Sequence, residues 1–198
     1  MTRPAPPQQI RIIGGQWKRR LLPIPSLPGL RPTPDRVRET LANWMAHQCQ
    51  QNWPSLVVLD LFAGTGALGL EFASRGAGQV VLNETQPQAI KQLQQTLQKL
   101  NAAHVQLRPQ DALQTLAQAH ASYNLILLDP PYEQGWLARV WPHLAAALMP
   151  GGWVYVECEA PLPNLLPPPA LEPFQTLRSD KAGQVHYHLL QFQPELSR

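Results

Sequence analysis

A chain of 198 residues with 44% hydrophobic content carries enough apolar mass for one domain with a core and a small extension, which excludes wholesale disorder. No apolar run approaches the roughly 20 residues that span a bilayer, and two cysteines, Cys49 and Cys158, make neither a disulfide framework nor metal-ligand spacing. The net charge of +3 conceals an asymmetry: residues 1–40 carry eight lysines and arginines against two acids (+6), residues 41–198 eight against eleven (−3). A basic arm on a mildly acidic body fits an anionic partner such as nucleic acid, the plainer alternative being an arm whose charge serves solubility.

The opening MTRPAPPQQ is polar and proline-rich, reads as loose, and lacks the apolar core of a signal peptide. With so few cysteines, a reduced cytoplasmic setting is expected. IRIIGGQWKRRLLPIP places two short apolar runs around Gly14 and Gly15, the pattern of a hairpin. In the following segment Asp35 lies just past Pro34, and Val37, Leu41, Trp44 and Met45 recur at helical spacing. A helix over about 34–48 is predicted, its basic face bearing Arg36 and Arg38. Residues 1–50 are therefore expected to form a basic hairpin-plus-helix extension and residues 51–198 the main domain.

From residue 56 strands and helices alternate. LVVLDLF reads as a buried strand, ALGLEFASRG as a helix closed by Gly76, QVVLNE as a second strand and QAIKQLQQTLQKLN as an amphipathic helix. VQLRPQD, ALQTLAQAH and YNLILLD continue as strand, helix, strand. WLARVWPHLAAALMPGG reads as a helix interrupted near Pro142 and ended by glycines, and WVYVECE as the fifth strand. After the proline-dense APLPNLLPPPALEP, FQTLRSD, a turn at KAG and QVHYHLLQF form an antiparallel hairpin at the sheet edge. The order predicts an α/β fold with a doubly wound, mostly parallel sheet covered on both faces.

LDLFAGTGALGLE sets Gly64, Gly66 and Gly69 between a strand and a helix, literally the G-x-G-x-x-G dinucleotide pattern. Glycines there permit a tight turn and let a ligand approach the helix N-terminus, and a pyrophosphate or a carboxylate fits equally. Asp60, just before the loop, is suited to an ammonium group and would repel a pyrophosphate. Glu84, at the end of the next strand, is suited to two ribose hydroxyls. An ammonium near Asp60 and a carboxylate at the helix start describe the methionine end of S-adenosylmethionine.

LLDPPY ends the fourth strand on a charge and stiffens the chain after it. In a doubly wound sheet this end neighbours the glycine loop, which brings Asp129 to the reactive end of a cofactor. Asp129 and the Pro130 carbonyl can accept the two N–H groups of an exocyclic amine, the prolines fix the carbonyl direction, and Tyr132 can stack on the base. Rate would then come mainly from positioning and electrostatics, with Asp129 able to take the proton. Read alone, the same tetrapeptide is a rigid turn.

These residues resemble the class I S-adenosylmethionine-dependent methyltransferases that modify amino groups, with F-x-G-x-G at Phe62–Gly66 and [DNS]-P-P-[YFW] at Asp129–Tyr132. RIIGGQWKRRLLPIP followed by GLRPTPDRVRETLANWM is similar to the bacterial 16S rRNA guanine-N2 methyltransferases, and the resemblance runs from about Ile10 to Phe192. It implies a Rossmann-like, seven-stranded sheet and methylation of a guanine N2 amine in rRNA of the small ribosomal subunit. It also implies that Asp60, Phe62, Gly64, Thr65 and Gly66 line the methionine part of the cofactor and that Glu84 holds the ribose. Asp111 and Ala112 would contact the adenine, and Arg31 and Thr33 would approach from the N-terminal segment. Asp129, Pro130, Pro131 and Tyr132 would hold the guanine, while Arg11, Lys18, Arg19, Arg20 and Arg36 would touch rRNA phosphates. Where members often carry an acid two places after the ribose glutamate, this chain has Gln86.

Other residues have plainer readings. Trp17 either stacks on a base or anchors the arm. Trp136 packs in a helix core or shapes the base pocket. His186 and His188 share a strand face without the partners of a metal site, and no metal is expected. Glu157 and Glu159, ending strand five beside the presumed active cleft, read as salt-bridged residues, with catalysis the alternative, and Cys49 and Cys158 read as packing residues. A monomer is expected. The rival functions are an adenine-N6 or protein-amide methyltransferase, an NAD-dependent oxidoreductase using GTGALG, and a non-catalytic RNA-binding assembly factor.

Overall fold

The computed structural model describes residues 9–24 and 33–194, so Arg31 lies outside the described residues. The chain opens with the expected antiparallel hairpin, β1 (Gln9–Arg11) and β2 (Leu21–Pro23), followed by α1 (Asp35–Gln48). Then β3 (Val57–Asp60), α2 (Ala67–Ser74), β4 (Gln79–Asn83), α3 (Pro87–Leu100), β5 (Val105–Arg108), α4 (Ala112–Ala117) and β6 (Tyr123–Leu128) alternate without exception. α5 (Trp136–Ala147), β7 (Leu148–Cys158), the single-turn helices α6 (Leu162–Leu165) and α7 (Pro168–Leu171), β8 (Phe174–Ala182) and β9 (Val185–Phe192) complete it.

Seven strands form one sheet in the order β5-β4-β3-β6-β7-β9-β8, in which β9 runs opposite to the other six. The order reverses between β3 and β6, the switch point at which open α/β sheets bind ligands. The strands are apolar on both faces because each face is covered. Val58, Val80, Leu125, Leu127 and Tyr155 pack with α1, α2 and the hairpin. Their sequence neighbours Leu59, Val81, Ile126, Val154 and Val156 pack with α4 and α5.

Three local expectations change. α5 runs through Pro142 and ends at Ala147, because the proline removes one N–H but its ring is accommodated near the middle of the helix. The following glycines lie inside β7. Tyr123 pairs with Leu148 and Leu125 with Trp153, so the extra residues bulge out. A Cβ on Gly152 would lie 2.9 Å from the Met149 carbonyl oxygen, so only glycine fits that bulge. The proline-dense connection also folds, as α6 and α7, because a fixed φ suits a first helical turn. The final hairpin is at the edge as expected, with β9 inserted between β7 and β8. Among the described residues, no helix is long and apolar enough to cross a membrane.

The hairpin is fastened to α2 by buried polar groups. Glu71, 1% exposed, accepts the N–H groups of Ile13 (2.8 Å) and Gly14 (2.9 Å) and pairs with Arg75 (2.9 Å). Ser74 accepts the Trp17 N–H (2.9 Å) and donates to the Gly14 carbonyl (2.6 Å). Gly15 has φ +75°, and a Cβ there would stand 1.8 Å from the Ser74 carbonyl oxygen. The glycine pair is thus a docking point as well as a turn.

Candidate active site

Four strands deliver acids to one edge of the sheet. Asp60 pairs in register with Leu127 of the adjacent β6, which puts Asp129 just beyond it. Alternation along each strand then turns Asp60, Glu84, Asp129 and Glu157 toward the face covered by α1 and α2. Asp60 is 1% exposed. Its Oδ2 accepts the Gly69 N–H at 2.9 Å, while Oδ1 is buried without a hydrogen-bond partner among the described residues. Burial pushes its carboxyl up to about 7, the charges of Glu84 and Glu157 adding to the rise and the Gly69 and Phe62 N–H groups opposing it. A buried, partnerless carboxylate oxygen beside a glycine loop suits a cationic donor and disfavours a phosphate.

The loop itself is tightly determined. Gly64 and Gly66 have φ +52° and +77°, where a side chain is strained. A Cβ on Gly69 would meet Leu82 at 2.3 Å, so the third glycine lets α2 lie close on the sheet and reach Asp60. Thr65 is buried, and its hydroxyl accepts the Ala67 N–H at 3.3 Å. Glu84 accepts the Gly64 N–H at 2.8 Å and those of Thr85 (2.7 Å) and Gln86 (2.8 Å). Its carboxylate therefore braces the loop and keeps a lone pair for a further donor. Asp111 caps α4 by accepting the Leu113 N–H at 2.8 Å, and Ala112 is buried behind it.

Asp129 is half-buried, and Pro130 behind it is buried. Burial raises the Asp129 carboxyl, and the Glu157 and Asp60 charges add to this. Tyr132 is half-buried, and burial with the Asp129 charge pushes its hydroxyl up, so it stays protonated. Phe62 packs edge-on against Trp136 with ring centroids 5.4 Å apart, and the Arg139 guanidinium lies 4.0 Å from the Trp136 ring centroid. An aromatic contact thus joins the start of the glycine loop to the start of α5, just after the DPPY turn.

Comparison with known proteins is consistent with this geometry. A family model described as "Conserved hypothetical protein 95" matches residues 10–191. The ribosomal RNA small subunit methyltransferase D of Escherichia coli (strain K12) is 42% identical over 192 residues, 92% of this chain and 90% of that protein. The chain belongs to this family. A solved structure of the Escherichia coli protein yhhF superposes with TM-score 0.79 at 40% identity, covering 93% of this chain and 98% of that one. At the level of fold alone, an RNA methyltransferase from Salinibacter ruber in complex with S-adenosyl-L-homocysteine matches with TM-score 0.61 and 17% identity, covering 83% and 95%. The fold is that of the class I methyltransferases.

In this family member the basic residues divide between two ends. Arg11 pairs with Asp35 at 2.7 Å at the start of α1, and Arg36 is exposed on the same turn, where its charge acts on Asp180 of β8. Lys18, Arg19 and Arg20 are exposed at the opposite end of the sheet. There Trp17 meets Ser74, the last residue of α2, and stacks on His104 just before β5. Arg19 and Arg20 line a groove of about 360 Å³ with Thr96, Lys99 and Leu100, the last turn of α3. α3 starts near Glu84, and its 14 residues at about 1.5 Å each separate the two ends by roughly 20 Å.

Several expectations are sharpened. Trp17 is 8% exposed and anchors the arm, so it is not a free base-stacking surface. Arg38 is 1% exposed and not on a basic face: it donates to the carbonyls of Thr33 (3.2 Å) and Arg11 (2.9 Å) and to Asp35 (2.7 Å). Thr33 is buried and donates to Glu157 at 2.8 Å, with Asp129 Oδ2 at 3.4 Å. Among the described residues Glu157 has no salt bridge, against expectation. It is 2% exposed and accepts from Thr33 and from the Tyr155 hydroxyl (2.9 Å). Glu159 is exposed and accepts the Glu133 N–H at 3.3 Å, holding the loop after Tyr132. Glu157 was recoverable from strand alternation, which puts it on the face of Tyr155. Its partner was not, because Thr33 lies 124 residues away in sequence.

Proposed function

We propose that the protein transfers a methyl group from S-adenosylmethionine to the exocyclic N2 amine of a guanine in 16S rRNA of the small ribosomal subunit. It would act as a cytoplasmic monomer on an assembled or partly assembled particle. The observation that carries the reading is the register of β3 against β6, which sets the unpaired Asp60 oxygen and the DPPY turn at neighbouring strand ends. The cofactor supplies an activated methyl group. Asp60 Oδ1 receives its ammonium, with Phe62, Gly64, Thr65 and Gly66 around the methionine part. Glu84 receives the ribose hydroxyls, and Asp111 and Ala112 meet the adenine. Arg31, outside the described residues, would add a cofactor contact.

Asp129 and the Pro130 carbonyl accept the two N–H groups of the guanine amine and aim its nitrogen. Pro131 stiffens the turn, and the protonated Tyr132 ring holds the base flat. Asp129 takes the proton that the nitrogen sheds, a role its raised proton affinity favours. The guanine target rests on kinship with the methyltransferase D relatives. Arg11 and Arg36 would touch phosphates near the base, and Lys18, Arg19 and Arg20 phosphates roughly 20 Å away. That reach suits folded rRNA better than a short single strand, and residues 1–50 would then work as the RNA-contacting extension.

Calorimetry with S-adenosylhomocysteine and with NAD tests the cofactor. The homocysteine is expected to bind and NAD not to. Mapping methylated nucleotides in rRNA from a deletion strain tests the target. Loss of one guanine-N2 methyl group, restored by this protein, is the expected result, and an unchanged map overturns the reading.

A further inference from the structure

Glu157 is the acid for which the proposed reaction has no use. It is 2% exposed and takes no salt bridge among the described residues, and its Oε1 accepts from two hydroxyls, Thr33 at 2.8 Å and Tyr155 at 2.9 Å. The Thr33 hydroxyl also stands 3.4 Å from Asp129 Oδ2. A hydroxyl carries one proton. Committed to Glu157 across the shorter distance, it turns a lone pair toward Asp129. The Asp129–Thr33 contact then becomes a full hydrogen bond only when Asp129 itself is protonated. The three oxygens form a line in which a proton arriving on Asp129 can move inward.

We propose that Thr33 and Glu157 are positioning residues for methyl transfer, forming a relay that returns Asp129 to its carboxylate form. The inference rests on the reading of Asp129 as proton acceptor. The nitrogen sheds one proton as its bond to carbon forms. Asp129 takes that proton and passes it to Thr33 Oγ1 as the Thr33 hydroxyl proton moves to Glu157 Oε1. When product leaves, the proton returns along the same line to water at the open face of Asp129. The groups around the line fit this traffic. Asp60 from β3 adds negative charge, the Tyr132 and Tyr155 hydroxyls remain protonated, and Arg38 from α1 is the cation facing Glu157 among the described residues. Burial raises Glu157 to about 6, between an ordinary carboxyl and neutral pH, so that it can both accept and release. The line also explains why Thr33, adjoining the RNA-contacting arm, is buried against the catalytic edge.

The test uses the full chain with Thr33→Val, Thr33→Ser, Glu157→Gln and Asp129→Asn. In the free protein, carbon-13 NMR of the side-chain carboxyls follows Asp129. Its midpoint should fall in Glu157→Gln, which removes a neighbouring charge, and fall also in Thr33→Val, which removes the acceptor for the protonated carboxyl, with Thr33→Ser near the wild type. In turnover, Thr33→Val and Glu157→Gln should lose at least about tenfold in kcat, or about 1.4 kcal/mol. KM for RNA should stay within about twofold, and Thr33→Ser should recover most of the rate. An Asp129 midpoint unmoved by both changes overturns the relay, as does a full kcat in Thr33→Val. If Asp129→Asn is inactive while Thr33→Val and Glu157→Gln are normal, only the relay fails. Normal activity in Asp129→Asn removes Asp129 as acceptor, and the proposed mechanism fails with it.

Discussion

Asp60 allows a quantitative test of ligand binding. Its carboxyl rises from 3.8 to about 7 because Oδ1 is buried without a partner among the described residues. At roughly 1.36 kcal/mol for each tenfold step in proton affinity, the charged form is disfavoured by about 4 kcal/mol. An ammonium group placed against Oδ1 removes that penalty and leaves the carboxylate ionised. Binding of S-adenosylhomocysteine should therefore release about half a proton at pH 7, nearly one at pH 6 and almost none above pH 8.5. The assay is calorimetry in buffers of different ionisation enthalpy. The folded carboxyl binds its proton more tightly than the unfolded chain does. Its contribution to stability is thus complete below about pH 4 and lost as pH rises through about 7. Asp60→Asn keeps the acceptor for Gly69 without the charge. It should melt higher than the wild type at pH 8, yet bind the homocysteine about 10–100-fold more weakly, from about 1.5–3 kcal/mol for a bond to a charged group. Equal binding heats in all buffers at pH 6–7, or undiminished affinity in Asp60→Asn, would refute the reasoning.

Four further outcomes follow from the same structure. Asp129→Ala should abolish methyl transfer while changing homocysteine affinity by no more than a few-fold, and retained turnover would mean that the amine is held elsewhere. Gly15→Ala should lift the hairpin off α2 and lower stability by at least about 1–2 kcal/mol in urea, since its Cβ meets the Ser74 carbonyl oxygen at 1.8 Å. Trp17→Ala should cost about 3–5 kcal/mol of stability and leave the salt dependence of RNA binding unchanged; a flatter slope would return Trp17 to the RNA interface. Neutralising Lys18, Arg19 and Arg20 with glutamine should flatten that salt dependence, by up to about 0.9 in logarithmic slope for each phosphate that no longer meets a cation. An unchanged slope would remove these three residues from the interface.

Much of this protein is set by local pattern. Two-residue alternation in strands and glycine punctuation at Gly64, Gly66 and Gly76 specify the alternating elements, and hence a parallel sheet covered on both faces. The same alternation turns Asp60, Glu84 and Asp129 toward one face, so three of the four acids of the candidate site were legible residue by residue. Pro142 misled because helix tolerance of a proline depends on what surrounds the kink, and the glycines at 151–152 because a bulge and a helix end share their residue types. Local pattern also could not say whether an arginine faces solvent or the core. Arg36 and Arg38 are two places apart, and only the packing of the hairpin on α2 buries the second. The same packing sends Lys18 to Arg20 to the far end of the sheet and brings Thr33 to Glu157 across 124 residues. Such pairings depend on which surfaces meet when the chain closes, and no short window of sequence contains both partners.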